Sequence, residues 1–370
     1  MRDNDPIAGV LIAALEAAAG TLRVVDQDPA LALARGFGFG GFIERRRGAV
    51  PSGRDERLVR QFRDQLLVEA ATELSQALAA ADVPHFFARG MALLGSLYEP
   101  GDREMADIDL FVTPAAEGRT REVLGRCGYE ELPSEDQSGA AVLRSSVDLA
   151  REGRSEVEAI AVELHWGLTP VDRLLPRPDT LVPDLVWDGV LLDGPLPVPA
   201  PAHHAALIVH HLVHHDLLHV RGFLDLALLR HRVWTGGGDQ YEAVARCLGV
   251  LRAARVLHWI LLDTFGFTPL PGIAQPPRDW RGRRMLRDLS LRRWLTWAGA
   301  AREDEHTTIT LRRIGRRLIL LDRLRDGPGL LADALWPPRE HLRWRWPDAP
   351  SDRAAWGRHL RLLAGKMLRG

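Results

Sequence analysis

Apolar positions recur at helical spacing over residues 7–20 and 55–81, the second stretch aligning Leu58, Phe62, Leu66, Leu67, Ala70, Leu74 and Leu78. Between them lies ARGFGFGGFIERRRGAVPSG, residues 34–53. Its Gly36, Gly38, Gly40 and Gly41 invite a phosphate-loop reading, but a dinucleotide fingerprint needs a strand before it and a helix directly after it. Neither is evident, so the stretch predicts a flexible loop or a packing turn. From Val83 the texture changes to short apolar runs: a strand over 84–88, a helix over 90–98, a strand over 107–112 and a helix over 115–127. Extended segments follow near 128–132, 140–149 and 157–166. Residues 169–201 are proline-rich and predict a connecting arm with extended pieces at 181–187 and 190–198. Beyond His203, leucine-rich helical segments cover 203–233, 239–266, 278–300, 308–324 and 328–335.

The pattern predicts an α+β chain: an N-terminal helical region over 1–81, an α/β core with its connecting arm over 82–200, and a C-terminal helical domain over 201–370. A length of 370 residues accommodates two or three such units. With 46% hydrophobic and 26% charged residues, the composition argues against both wholesale disorder and a membrane-embedded chain. No uninterrupted apolar run is long enough to span a bilayer, and Asp3 and Asp5 stand where a secretion signal would carry basic residues. Cys127 and Cys247 are far apart and belong to no CxxC pair, which fits a reducing cytoplasm. A net charge of -1 supplies no global field for nucleic acid. Lys366 is the sole lysine, so basic chemistry elsewhere falls to arginine.

The most informative segment is VPHFFARGMALLGSLYEPGDREMADIDLFV, residues 83–112. In its second strand Ile108, Leu110 and Val112 share one face, so Asp107 and Asp109 share the other. Neighbouring carboxylates repel, and a hard divalent cation with oxygen ligands relieves that repulsion. A solvated strand edge would need no cation. Upstream, PHFFA ends at Arg89 and Gly90, where a glycine-led helix offers backbone N–H groups to phosphate. Downstream, in EVEAIAVELHWGL, Val162, Leu164 and Trp166 share one face while Glu163 and His165 occupy the other.

Arg89, Gly90, Tyr98, Arg103 and the run Asp107-Ile108-Asp109-Leu110, followed by Glu163-Leu164-His165-Trp166, resemble the uncharacterised nucleotidyltransferase family of the DNA polymerase beta-like superfamily. The resemblance implies a polymerase beta-like core, a short mixed sheet with helices, flanked by the N-terminal helices and the C-terminal helical domain. It also implies a two-metal Mg2+ site on Asp107, Asp109 and Glu163, a nucleoside triphosphate as substrate, and Gly90 with Arg89 or Arg103 cradling the triphosphate. Where relatives carry lysine this chain has Arg89, which keeps the charge and changes its geometry. The superfamily's Gly-Ser signature is matched literally by Gly95 and Ser96, but the predicted helix would enclose them, which favours Gly90 as the phosphate-binding glycine and leaves Ser96 second. Arg103 could equally pair with an acidic neighbour.

Relatives also carry two histidines four apart on a helix and an aspartate opening the next one, matched by His211, His215 and Asp225. The resemblance implies a polar cluster facing nucleotide or acceptor, together with His165. A buried hydrogen-bonded network and a zinc site, whose further ligands the sequence does not identify, are the alternatives. The Arg281, Arg283, Arg284, Arg287, Arg292 and Arg293 cluster, with Arg312, Arg313, Arg316 and Arg317, could line a nucleic-acid groove beside Trp280, Trp294 and Trp297. Interspersed acidic residues favour a salt-bridged solvent face, so nucleic acid is not an expected partner. The expected activity is transfer of a nucleoside monophosphate from a nucleoside triphosphate to a hydroxyl-bearing acceptor, with pyrophosphate released. A catalytically silent module that binds nucleotide or a partner is the alternative.

Overall fold

A computed structural model of the chain describes residues 6–22, 28–47, 54–132, 146–152, 159–168, 182, 184–192, 196–215, 217, 219–234, 236–270, 279–288, 295, 318, 319, 328, 339, 342, 343, 346 and 348–367. Its centre is a mixed sheet of β1 (His85–Phe87), β2 (Asp107–Val112), β3 (Glu130–Glu131), β4 (Ser146–Arg151) and β5 (Ile160–His165), in the order β1-β2-β5-β4-β3. Only β2 and β5 run parallel among these strands; β1 pairs antiparallel with β2, and β4 with both β5 and β3. The α+β class expected from the sequence is the observed one.

Strand alternation sends the sheet's side chains into two separate cores. Ile108, Leu110, Val112, Val147, Leu149, Val162 and Leu164 pack beneath α4 (Arg54–Ala80), whose Leu67, Ala71, Leu74 and Leu78 lie on one stripe, and α6 (Glu117–Arg126). Phe86 and Phe111 point the other way, their rings stacked with centroids 4.9 Å apart. They join a core built from α1 (Pro6–Leu22), α2 (Pro29–Gly36), α3 (Gly40–Arg47), α8 (Pro201–His214), α9 (Val220–Arg232), α10 (Gly238–Cys247) and α11 (Leu251–Phe265). The N-terminal stretch therefore serves both cores, α1–α3 on the helical side and α4 on the sheet.

Several elements differ from the sequence pattern, each for a local reason. The helix expected over 90–98 is α5 (Arg89–Leu93): Leu94 turns extended and Gly95 adopts φ +80°, a conformation that glycine enters without steric cost. The segment expected to be extended at 181–187 contains α7 (Asp184–Trp187), whose Trp187 meets the Phe86 ring edge-on at 4.8 Å, so tertiary burial outweighs strand propensity. The arm's remaining strands, β6 (Val190–Leu191) and β7 (Val198–Pro199), pair with each other. The helix expected over 203–233 breaks between α8 and α9, and that over 239–266 breaks at Gly249, φ +70°. Of the glycine-rich stretch 34–53, expected to be a flexible loop or a packing turn, residues 34–47 are largely helical and packed because Phe37, Phe39 and Phe42 are buried, and 48–53 lie outside the described residues. Near the C-terminus α12 (Trp280–Asp288) and α13 (Asp352–Met367) are seen; of the helices expected over 308–324 and 328–335 only residues 318, 319 and 328 are described, each helical, and the rest, with most of the arginine and tryptophan cluster, fall outside the described residues. Within α12, Arg281 is buried while Arg283 and Arg284 are exposed. Among the described residues no helix is long and apolar enough to cross a membrane.

The loop from α5 to β2 is pinned from below. Gly101 N–H donates to Asp64 Oδ2 on α4 at 2.6 Å, Arg45 on α3 pairs with buried Asp102, and Phe42 N–H donates to the Asp102 carbonyl at 2.9 Å. The fit depends on Gly41, where a Cβ would drive into the Gly101 carbonyl oxygen. Gly41→Ala is expected to cost about 1–3 kcal/mol in urea unfolding, as overpacking of a tight contact does. Gly118→Ala on α6, where a Cβ meets nothing within 4 Å, should leave stability unchanged or slightly raised. Equal effects of the two substitutions would show that the α3 contact is not a constraint.

Candidate active site

The parallel register of β2 and β5 sets Asp109 beside Glu163 and Phe111 beside His165, all on the face that meets the helical core. The His165 ring stacks on Phe111 at 4.4 Å between centroids. Its Nε2 lies 3.2 Å from Asp109 Oδ1 and 3.3 Å from Glu163 Oε2. On the opposite side Arg89 Nη1 donates to Asp109 Oδ1 at 2.5 Å and to Glu163 Oε2 at 3.4 Å. Arg89 and His165 thus hold the two carboxylates between them, and Asp107 stands next to Asp109 on the same strand face.

The local electrostatics follow from that crowding. Burial, then the charges of Asp109 and Glu163, push the Asp107 carboxyl up to about 6. Burial also opposes ionisation of Glu163, but the His165 charge and hydrogen bond, with Arg89, outweigh it and hold this carboxyl well below the usual range. His165 moves the opposite way: burial disfavours its charge, yet Glu163 and hydrogen bonds to both carboxylates raise it.

Arg89 is held in an unusual conformation, with φ +52°. A non-glycine residue there costs on the order of 1–3 kcal/mol, and such strain concentrates at functional sites. Its backbone N–H donates to Nε2 of buried His204 at 3.0 Å. Burial lowers His204 to about 4, so its ring stays neutral and able to accept. Gly90 makes room for an arginine: a Cβ there would sit 2.6 Å from Arg103 Nη1 and 3.0 Å from Met105 Sδ. Because α5 stops at Leu93, Gly95 and Ser96 lie in the turn after it and not inside a helix. Ser96 Oγ donates to the Leu93 carbonyl at 3.1 Å, and Ser96 does not line the cavity described below.

Arg103 reaches across to α9 and grips Asp225 with both arms of its fork, Nε to Oδ1 and Nη2 to Oδ2, each at 2.9 Å. Tyr98 Oη donates to the same Oδ1 at 2.8 Å. All three side chains are buried. Burial and then the Asp225 charge raise the Tyr98 hydroxyl well above its ordinary value. Arg103 and Asp225 therefore clamp the sheet side to the helical side.

Between the two sides opens a cavity of about 290 Å³. Asp107, Asp109, Glu163, His165, Arg89, Gly90, Arg103 and Asp225 line it, and so do His211 and His215 from α8. The wall also includes His219, the last of the histidines that run from His203, and Arg221, which nothing in the sequence analysis singles out. Arg221 lies one turn before Asp225 on α9, a spacing that marks a shared face. Its Nη1 donates to the Glu104 carbonyl at 2.7 Å. The wall thus combines a carboxylate cluster suited to cations with arginines suited to phosphate oxygens.

The clamp has a measurable energetic signature. Asp225→Ala strands a buried guanidinium and is expected to cost about 3–5 kcal/mol in urea unfolding. Tyr98→Phe leaves the Arg103–Asp225 pair intact and should cost only about 1 kcal/mol. An Asp225→Ala loss no larger than that of Tyr98→Phe would show that the pair is hydrated and does not bind the two sides.

A search of the curated proteins finds no match to the chain. The sequence profile described as "Uncharacterised nucleotidyltransferase" matches residues 54–266, from the start of α4 through α11 and Gly266, and so includes the sheet, the carboxylates, the Arg103–Asp225 clamp and the histidines of α8. The match covers more than half of the 370 residues, and the chain belongs to the uncharacterised nucleotidyltransferase family.

Proposed function

We propose that the protein is a Mg2+-dependent nucleotidyltransferase, which moves a nucleoside monophosphate from a nucleoside triphosphate to a hydroxyl group of a small molecule, peptide or protein. The observation that carries this reading is the convergence of Asp107, Asp109 and Glu163 on one wall of a cavity that Arg89 and Arg221 also line. The donor set fits a hard divalent cation, being carboxylate oxygen throughout. Two features of the protein agree with a cation there: a positively charged nitrogen, Arg89 Nη1, already lies against Asp109 and Glu163, and burial with the charges of both raises the Asp107 carboxyl more than Arg89 and Arg221 lower it.

In this reading Asp107, Asp109 and Glu163 hold Mg2+, which when bound supplies charge neutralisation at the attacking and leaving oxygens. Glu163, kept ionised by His165 and Arg89, suits a permanent ligand better than a proton carrier. The acceptor hydroxyl attacks the α-phosphorus and gives up its proton to solvent, the bond to the bridging oxygen of the β-phosphate breaks, and pyrophosphate leaves. Arg221 and Arg89 suit the phosphate oxygens, whereas Arg103, both arms engaged by Asp225, suits a positioning role. His165 orients Asp109 and Glu163 from behind.

A second reading, a catalytically silent module that binds nucleotide or a partner, is favoured by one observation. Arg89 already neutralises Asp109 and Glu163 internally, which a scaffold without a cation would need. The two separate in one assay: purified protein with each α-labelled nucleoside triphosphate, Mg2+ and fractionated hydroxyl-bearing acceptors. Catalysis predicts a labelled product and pyrophosphate, both lost with EDTA and reduced about 100-fold or more by Asp107→Asn or Asp109→Asn. Absence of any variant-sensitive product across the acceptors, with triphosphate binding indifferent to Mg2+, would sink the catalytic reading and leave the binding module.

A further inference from the structure

Asp109, Glu163 and His165 are not the sole group of side chains in this cavity with metal-ligand geometry. His211, His215 and His219 present one ring nitrogen each within 4.8 Å of one another, and all three are half-buried on the same wall. The ring centroids are mutually close: 4.4 Å from His211 to His215, 4.8 Å from His211 to His219 and 4.3 Å from His215 to His219. His211 Nε2 and His219 Nδ1 are 3.0 Å apart. Two nitrogens bound to one tetrahedral zinc at about 2.0–2.1 Å must lie about 3.4 Å apart, so this pair is near ligating distance as it stands.

The backbone explains how three imidazoles meet. His211 and His215 lie one turn apart, within α8 and at its C-terminal cap, which puts their rings on one side of the helix. The chain then reverses through Leu217, a buried residue at φ +64° whose N–H donates to the Leu212 carbonyl at 2.6 Å. That reversal returns His219 at the N-cap of α9, facing the pair, and its side chain makes no capping bond to the helix. A branched residue in the left-handed region is unfavourable, and such strain persists where the surrounding structure needs the turn it creates.

We propose that His211, His215 and His219 form a second metal site, for a zinc-type transition ion, separate from the Mg2+ carboxylates. Neutral imidazoles suit zinc and related late transition ions and not magnesium, which takes oxygen ligands. Three protein ligands with the fourth side open is the arrangement of zinc sites that bind water or a substrate oxygen. Here the open side is the cavity that also holds Asp107 and Glu163.

The test uses the full chain, stripped with chelator and titrated with Co2+ and then with Zn2+. The site predicts one strongly absorbing, four- or five-coordinate cobalt per chain, displaced by zinc and distinct from any weakly absorbing octahedral cobalt on the carboxylates. His215→Ala and, as a milder change, His211→Gln should weaken binding about 100-fold or more while far-ultraviolet circular dichroism and the unfolding midpoint report the fold. Asp107→Asn/Asp109→Asn should retain the strongly absorbing cobalt of the wild type, which keeps this outcome independent of the nucleotidyl-transfer assay. Cobalt bound only weakly with an octahedral spectrum, or bound equally by folded His215→Ala, would overturn the site and leave the histidines as a hydrogen-bonded stack.

Discussion

Asp107, Asp109 and Glu163 repel one another on one face of a parallel strand pair, in surroundings drier than bulk solvent, where like charges interact more strongly. Much of the architecture answers that repulsion. Arg89 and His165 flank Asp109 and Glu163, and each makes contact with both. Arg89 can do so because His204, buried and neutral, accepts its backbone N–H and fixes a conformation that only a strongly determined environment maintains. The Asp107 carboxyl is raised by burial and then by its two neighbours' charges, which Arg89 and Arg221 only partly offset, the electrostatic condition in which an added cation is most welcome.

The sheet supplies half of the site and the helical side supplies the rest. The loop bearing Arg103 is set by Asp64 on α4 and by Arg45 on α3, so an N-terminal element lying far from the chemistry fixes a residue at its centre. Arg103 then closes on Asp225, with Tyr98 as a third member. The geometry turns the cavity into a two-walled cleft: carboxylates and Arg89 on one wall, Arg221 and three histidines on the other. The profile match over 54–266 spans both walls, which accords with their being one functional unit.

Much of the sheet wall was legible in the sequence because strand alternation has a fixed period. Asp107 and Asp109 opposite Ile108 and Leu110, and Glu163 and His165 opposite Val162 and Leu164, follow from that period alone, and the five-stranded sheet preserves it. What period cannot specify is which long-range partner a polar side chain selects. Arg103 was readable as a phosphate ligand or as an ion-pair partner, and only the approach of α9 brings it to Asp225. His204 sits among apolar helix residues with no local feature marking its direction, and Arg221 is marked only by lying one turn before Asp225. His219 lies four residues beyond His215, where an unbroken helix would set it a further turn along the same face; the reversal at Leu217 instead returns it at the N-cap of α9, facing the pair. The short α5 had a similar cause: Gly95 and Ser96 were read as helical, and the left-handed turn at Gly95 shows why they are not.

The central claim is that the carboxylate trio is a cation and triphosphate site, and crystallography with Mn2+ and a nucleoside triphosphate analogue blocked at its α–β bridge tests it most directly. Anomalous manganese density contacting Asp107, Asp109 and Glu163, with analogue phosphate oxygens on the same ion and near Arg221, is the predicted result. Analogue bound elsewhere, with Arg89 still paired to Asp109 and no manganese at the trio, would contradict it.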